Sequence, residues 1–480
     1  MKSILVNIVP EETRMAMLED DELLAVEVER PAHSHLVGNI YKGHVQNVLP
    51  GMQAAFVDIG TEKNAFLYIG DGMPADTVQS MPVHSRIHIG QNLPIQIVKD
   101  AIGTKGPRAT MHLSLPGRNV VLMPTAAYIG LSRRIEEEEE RNRLKAIAEK
   151  ICPPDMGLIV RTAAIGQSEE ILRDDVHYLT RLWDSLMARN QVLAAPALLY
   201  RDADLIIRIV RDSLTTAVDQ MILDDAAVYR RVTDLLKYIS PELMERVHLY
   251  EDKTPLFKKY HIDEELEKLG DRTVELKSGG FIVIDKTEAL TVIDVNTGKY
   301  VGRANLADTV YYTNMEAAVE ILKQIRLRDI GGIILIDFID MDTPEQKENL
   351  LEFMREQVKR DRTKTNIVDI TSLGLVEITR KKSRQNFESI IYSDCPYCHG
   401  RGRIESPETV CINISRDIRR IEAKSHAPFG YEVEVHEQVA KAIRASGLLD
   451  NLSQALGVAI QLTARMDIHP ENYSILQKGE

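Results

Sequence analysis

The chain has 480 residues, of which 44% are hydrophobic and 27% charged, with a net charge of −13. This length exceeds one ordinary core and implies roughly three or more domains of globular composition. The acidic balance excludes a protein coated in basic surface, so a nucleic-acid partner would have to meet local basic patches.

No apolar run is long enough to span a membrane, and the opening MKSILVNIVPEETR lacks a signal-peptide core. The four cysteines (Cys152, Cys395, Cys398, Cys411) are too sparse for a disulfide framework, which points to a reducing cytoplasm. From the start, KSILVNIVPEETRMAMLEDDELLAVEVER alternates as strands joined by turns. From about Val37, short strands broken by Gly, Pro and Asn predict a small β-barrel, continuing through LPIQIVKDAIGTKGPRATMHLSL. SRRIEEEEERNRLKAIAEKI predicts a helix with an acidic first part, its glutamates a solvated face. MGLIVRTAAIG reads as a strand and loop, DDVHYLTRLWDSLMARNQ as an amphipathic helix and ADLIIRIVRD as a strand; the stretch to about Leu269 reads as mostly helical.

From about Asp271 the pattern is α/β. GGFIVIDKTEALTVIDVNTG predicts a hairpin whose second strand ends near Asp294. TNMEAAVEILKQIRLRDIGG predicts a helix, with Thr313 and Glu316 as a capping box and Gly331-Gly332 as its end. IILIDFIDM is the following strand. A strand–helix–strand unit places its strands in one sheet, usually parallel, so Asp294 and Asp337 are expected to emerge at the same end. Two neighbouring carboxylates suit a hard divalent cation such as Mg²⁺, with Asn296 orienting one of them; the same acids also fit turn caps. Asp340, three residues past Asp337, falls on the opposite side of a continuous strand and suits a turn or cap before TPEQKENLLEFMREQV.

LTVIDVNTG, TNMEAAVEILKQIRLRDIGGIILIDFIDM, CPYCHGRGR, NIYKGHVQNVLPGMQAAFVDIG and IGTKGPRAT together resemble the bacterial ribonuclease E/G family, along essentially the whole chain. The lack of a long disordered C-terminal extension points to its ribonuclease G branch. The resemblance implies a single-strand-specific endoribonuclease that prefers a 5′-monophosphate and cuts A/U-rich RNA, in 16S ribosomal RNA 5′-end maturation and messenger turnover. It implies an α/β multidomain fold: an RNase H-like domain (1–36 and 206–269) interrupted by an S1 barrel of the OB-fold type (37–111) and a 5′-sensor region (112–205). A DNase I-like catalytic domain (270–391), a zinc link (392–406) and a small assembly domain (407–480) follow.

By the same resemblance, Asp294 and Asp337 are the Mg²⁺-binding catalytic pair supported by Asn296. Phe56, Phe66 and Lys105 contact RNA; apart from the resemblance, a Phe in a strand reads as core and a Gly-flanked Lys as solvated. Arg161 and Thr162 grip the 5′-monophosphate, Gly117 and Val121 line its pocket, and Arg133 and Lys364 are further candidates there. The CxxC pair Cys395 and Cys398 supplies two zinc ligands where four are usual. His399, Cys411 or Cys152 would complete a site within the chain, whereas the family shares one zinc between two chains. That sharing implies a homodimer, with a tetramer as a further assembly. RKKSRQ before the CxxC fits an RNA guide or a solvated linker. Two other readings are a non-catalytic RNA-binding protein dimerised by zinc and a structural scaffold.

Overall fold

The computed structural model describes residues 1–30, 36–68, 87–101, 105–298, 306–359, 361, 363–382, 387–424 and 430–477, with backbone only at 238 and 306–308. These divide into two compact units, Met1–Ile391 and Tyr392–Glu480.

In the first unit, β1 (Lys2–Val9), β2 (Glu12–Glu19) and β3 (Glu22–Glu29) are the expected strands joined by turns, and they pair as an antiparallel meander. Asp20 and Asp21 turn between β2 and β3 at φ 50° and 65°, a left-handed pair that aspartate tolerates well. Strands β4 (Ile40–Leu49), β5 (Ala54–Asp58), β6 (Ala65–Tyr68), β7 (Asn92–Lys99) and β8 (Arg108–Thr110) run in the order β4-β5-β6-β8-β7. Pairing of β7 back onto β4 closes a five-stranded barrel consistent with an OB-fold, filled by alternate residues such as Val57, Leu67, Ile95 and Ile97.

Strands β9 (Leu115–Pro116), β10 (Val120–Met123), β11 (Ile129–Leu131) and β12 (Gly157–Val160) form a second sheet. Helices α1 (Glu138–Ile151) and α2 (Glu169–Val192) cover it, packing Leu144, Leu172 and Leu179 against Leu122 and Leu158. Strand β13 (Ala197–Tyr200) then pairs with β4 and widens the barrel sheet.

Two expectations fail in the next segment. ADLIIRIVRD is not a strand but helix α3 (Leu205–Asp212), capped by Asp204, which accepts from the Ile207 N–H at 3.0 Å. Leu205, Ile206, Ile209 and Val210 form its buried stripe, a helical period that eight residues of mixed β-branched sequence conceal. The stretch to Leu269 is not only helical either. Strands β14 (Gln220–Leu223) and β15 (Val247–Leu249), separated by α4 (Ala226–Ile239), extend the first sheet by parallel pairing, giving the order β15-β14-β1-β2-β3. Strand β3 is therefore an edge. Short helices α5 (Leu256–Lys259) and α6 (Ile262–Lys268) follow.

The last sheet of this unit contains β16 (Thr273–Glu275), β17 (Phe281–Lys286), β18 (Leu290–Asn296), β19 (Gly332–Asp337), β20 (Thr365–Ile370) and β21 (Val376–Arg380), in the order β16-β17-β18-β19-β21-β20. As the pattern predicts, β17 and β18 form a hairpin while β18 and β19 run parallel. Helices α7 (Leu306–Leu327) and α8 (Pro344–Val358) pack on one face through Ala318, Ile321, Ile325, Leu350 and Met354 over Ile293, Val295, Ile334 and Ile336. Ile333 and Thr379 of the opposite face are exposed.

Thr313 is no cap. Helix α7 is already formed at Leu306, and the buried Thr313 hydroxyl donates instead to the Thr309 carbonyl at 2.8 Å. The helix stops at Leu327, before Gly331, with Asp329 at φ 48°. Helix α8 is capped by Thr343, whose side chain accepts from Gln346, rather than by Asp340; Pro344 takes the first helical position. Helix α9 (Phe387–Ile391) ends the unit.

In the second unit, α10 (Pro407–Glu422), α11 (Glu437–Ser446) and α12 (Leu448–Leu456) accompany a sheet of β22 (Tyr431–His436), β23 (Ile460–Arg465) and β24 (Tyr473–Gln477) in the order β23-β22-β24. Its core joins Tyr431, Val433 and Val435 to Val410, Ile414 and Val439, and buries Cys411. No helix among the described residues is long and apolar enough to cross a membrane.

Candidate active site and RNA-binding residues

Asp294 and Asp337 are direct partners in the parallel register of β18 and β19. Registered partners project to the same side of a sheet, with neighbouring strands about 4.8 Å apart. Each acid alternates with buried neighbours (Ile293 and Val295, Ile336 and Phe338), and both carboxylates are exposed on the face away from the helices. Asn296 lies two residues on, on the same face, and its Nδ2 donates to Asp294 Oδ2 at 2.8 Å. That bond fixes one carboxylate without neutralising it.

Among the described residues no cluster of three or more His, Cys, Asp or Glu side chains forms a metal cage. Two adjacent carboxylates on an open face fit Mg²⁺, which takes one or two protein carboxylates and fills its remaining positions with water and substrate oxygens. Asp340 is exposed beyond the strand end.

On the barrel, Phe56 and Phe66 face each other in register on β5 and β6, ring centroids 5.9 Å apart at 70°. Both are half-buried and lie on the outer side, since Val57, Ala65 and Leu67 fill the interior. Phe66 also pairs with Arg108, three residues from the exposed Lys105. Aromatic faces beside basic side chains are what single-strand binding uses.

Arg161 follows β12, where an apolar strand delivers its charge to the surface. An internal partner awaits it: Nη2 donates to Asp212 Oδ1 at 2.5 Å, and Nη1 to the Gly117 carbonyl at 2.7 Å. Asp212 also receives a fork from Arg211, at 2.9 and 3.0 Å. Burial pushes the Asp212 carboxyl up, but Arg211 and Arg161 outweigh it and hold the group below its ordinary value.

Gly117 owes its identity to a close approach. A Cβ there would lie 2.9–3.0 Å from the Asp175 carboxylate, which accepts from the Asn119 N–H at 2.7 Å and the Val120 N–H at 3.3 Å. Thr162 opens a 3-10 turn beside Arg161, and the half-buried Val121 stands opposite Ile159. Arg161 and Lys364 line one cleft of 880 Å³. Arg133 is exposed and does not line it, whereas its neighbour Arg134 does. The residues missed in the sequence are Asp212, Asp175 and Arg134; the first lay on a segment read as a strand.

RKKSRQ is not a uniform basic guide. Arg380 is buried, paired with Asp361 at 2.8 Å and with Asp329. Lys381 is exposed, and residues 383–385 lie outside the described residues.

In the second unit the CxxC loop turns through His399, Gly400 and Gly402, all at positive φ. The Gly402 N–H donates to Cys398 Sγ at 3.3 Å. Main-chain N–H groups of Cys398 and Tyr397 hold the Cys395 thiol below its ordinary value. Sulfurs surrounded by N–H donors are suited to binding as thiolates, so the pair fits zinc. Cys411 is buried in the core and does not join them. Cys152, in the other unit, donates to the Met156 carbonyl at 3.3 Å.

Residues 114–383 match the family model described as the ribonuclease E/G family. The chain is 42% identical over 427 residues to the ribonuclease G of Salmonella typhimurium (strain SL1344) and, equally, to that of Escherichia coli (strain K12), covering 87% of each chain. To the ribonuclease E of Nostoc sp. (strain PCC 7120 / SAG 25.82 / UTEX 2576) it is 39% identical over 401 residues, 82% of this chain and 58% of that protein. On these grounds the chain belongs to the ribonuclease E/G family.

Proposed function

We propose that this endoribonuclease is Mg²⁺-dependent, acts on single-stranded A/U-rich RNA and is stimulated by a 5′-monophosphate, in 16S ribosomal RNA 5′-end maturation and messenger turnover. The observation that carries the reading is the registered pair Asp294 and Asp337 on an exposed sheet face, with Asn296 bonded to the first. Bound there, Mg²⁺ would polarise the scissile phosphate and lower the pKa of water. Asp294 and Asp337 would hold it, while Asn296 keeps the Asp294 carboxylate turned. Phe56 and Phe66 offer faces for stacking bases, and Lys105 a charge for the backbone. Phosphodiester cleavage at this pair separates the reading from that of a non-catalytic RNA-binding protein. An A/U-rich oligonucleotide with and without Mg²⁺ decides between them.

For the 5′ end, Arg161 and Thr162 would bind the monophosphate, with Gly117 and Val121 shaping the pocket and Lys364 reaching across the cleft. Arg133 is weaker, being outside that cleft. A charge-assisted hydrogen bond contributes roughly 1.5–3 kcal/mol, so Arg161→Ala is expected to slow cleavage of 5′-monophosphate RNA about tenfold to a hundredfold, towards the 5′-hydroxyl rate. Equal losses on both substrates would instead assign Arg161 to holding Asp212 and Gly117 in place.

Zinc would be held by Cys395 and Cys398 together with the same pair from a second copy, giving a homodimer and, through further contacts, a tetramer. Cys398→Ser is expected to release zinc and weaken association, read by metal analysis with light scattering. A wild-type ratio of one zinc per chain would mean a site completed within the chain.

A further inference from the structure

The sheet face that bears Asp294 and Asp337 is not uniformly polar. In the antiparallel register of β17 and β18, Phe281 stands opposite Asn296 and Val283 opposite Asp294. One step back along the strands, Val292 stands opposite Leu335 of β19. Ile282 and Ile284 alternate with Phe281 and Val283 and enter the core beneath the helices, so the latter two project to the side of the acids. All four of these apolar side chains are half-buried, and among the described residues they join none of the buried cores of this unit. The acidic pair therefore has apolar neighbours that no core absorbs.

Phe281 is the largest of them. Directly opposite residues of an antiparallel pair have Cβ atoms about 4.5–5.5 Å apart and diagonal ones about 7–8 Å, still within reach of an aromatic ring. Asn296 is its direct neighbour and Asp294 its diagonal one. The chain reaches this position through Gly279 and Gly280, and a Cβ on Gly280 would lie 2.7 Å from the Asn296 carbonyl oxygen. The turn is thus pressed against the end of β18. The ring is carried on the same hairpin as the Asp294 carboxylate rather than on a long loop.

Resting on the reading that RNA is cut at the acidic pair, we propose that Phe281 stacks on the base of a nucleotide adjoining the bond to be cut. A phosphate held at Asp294 and Asp337 leaves its flanking bases to be placed close by, and an aromatic face takes any base by stacking. Val283 extends the apolar surface beside the ring. The contact needs an unstacked base, because the faces of a base inside a duplex are already covered by its neighbours. Phe281 then fixes where the scissile phosphate lies over the pair and requires a single strand at the point of cleavage. The occupant is RNA rather than a second copy of this chain, because the patch is continuous with the carboxylates that the substrate must reach.

The test uses the full-length protein and one A/U-rich RNA with a single mapped cut, in three forms: intact, abasic on the 5′ side of the cut, and abasic on the 3′ side. Removing a stacking aromatic corresponds to about tenfold, so Phe281→Ala is expected to lower kcat/KM on intact RNA by that factor, with an unchanged Mg²⁺ midpoint. Wild type is expected to lose about as much on one abasic form, and Phe281→Ala to lose nothing further there. Phe281→Tyr should restore cutting of intact RNA. Phe281→Leu, which keeps apolar bulk without a ring face, should not.

Equal fractional losses for Phe281→Ala on all three RNAs would show that the ring only supports the sheet, and the proposal would be overturned. Full activity in Phe281→Ala and Phe281→Leu would overturn it too. If Phe281→Ala does not fold, Phe281→Leu against Phe281→Tyr makes the same comparison. A changed mass by light scattering in Phe281→Leu, with no abasic effect in wild type, would assign the patch to contact between copies and overturn the proposal for RNA. Wild-type protein that cuts no form in Mg²⁺ would bring down the cleavage reading and the proposal together, whereas the other outcomes leave that reading standing.

Discussion

Asp337→Asn is expected to abolish cleavage while leaving the protein folded. The carboxylate is exposed, so an isosteric amide there should change stability by no more than about 0.5 kcal/mol. Its registered partner Asp294 and the Asn296 bond are untouched, but half of the negative charge that suits Mg²⁺ is gone. Metal assistance contributes several kcal/mol of charge stabilisation, and about 4 kcal/mol corresponds to a thousandfold in rate. Asp294→Asn should behave alike, Asp340→Asn should be mild, and RNA binding should persist in all three. Cleavage measured over a Mg²⁺ titration, beside a melting curve, gives the answer. Near-normal Mg²⁺-dependent activity in either of the first two variants would refute the assignment.

The second large effect is on stability. Arg380→Ala removes the cation that neutralises Asp361, whose side chain is only 8% exposed. Breaking a buried pair by deleting one partner costs roughly 3–5 kcal/mol, a large part of a typical stability of about 5–15 kcal/mol. The loss should depend on pH. Burial pushes the Asp361 carboxyl up, yet Arg380, the Thr363 N–H and the Thr365 hydroxyl together bring it below the ordinary 3.8. A depressed carboxylate stabilises the fold above its unfolded value, and the gain disappears as pH falls through the folded value. The gap between wild type and variant should therefore be full at pH 7 and shrink below about pH 4. Denaturant melts at both pH values measure it, and a variant as stable as wild type at pH 7 would contradict the buried pair.

How far the chain can be read from its residues differs from site to site. Asp294 and Asp337 are legible because each closes a run of aliphatic residues on either side of a strong helical stripe, and the chirality of strand–helix–strand units supplies the pairing. Asp212 is not legible. Eight residues of LIIRIVRD satisfy either period, and the choice is made by the Asp204 cap and by packing beneath β1 and β14. Strands β14 and β15 are four and three residues long, too short for alternation to register, and they exist through long-range pairing that begins at β1. Arg380 looks like one cation in a basic run; only the fold brings Asp329 and Asp361 to it. The CxxC turn is the opposite case, since its glycines announce the backbone conformations they adopt.

Helices α7 and α8 cover one side of the sheet that bears the acidic pair, and on the other side, among the described residues, Asp294, Ile333, Asp337 and Thr379 are exposed. A groove closed at one end admits a polymer only by its terminus and counts inward from there. A shelf of this kind imposes no such count: a strand can be laid across it at any point along its length. Cutting within a chain, rather than trimming from its end, is the geometry that an acidic pair on an exposed part of a sheet face allows.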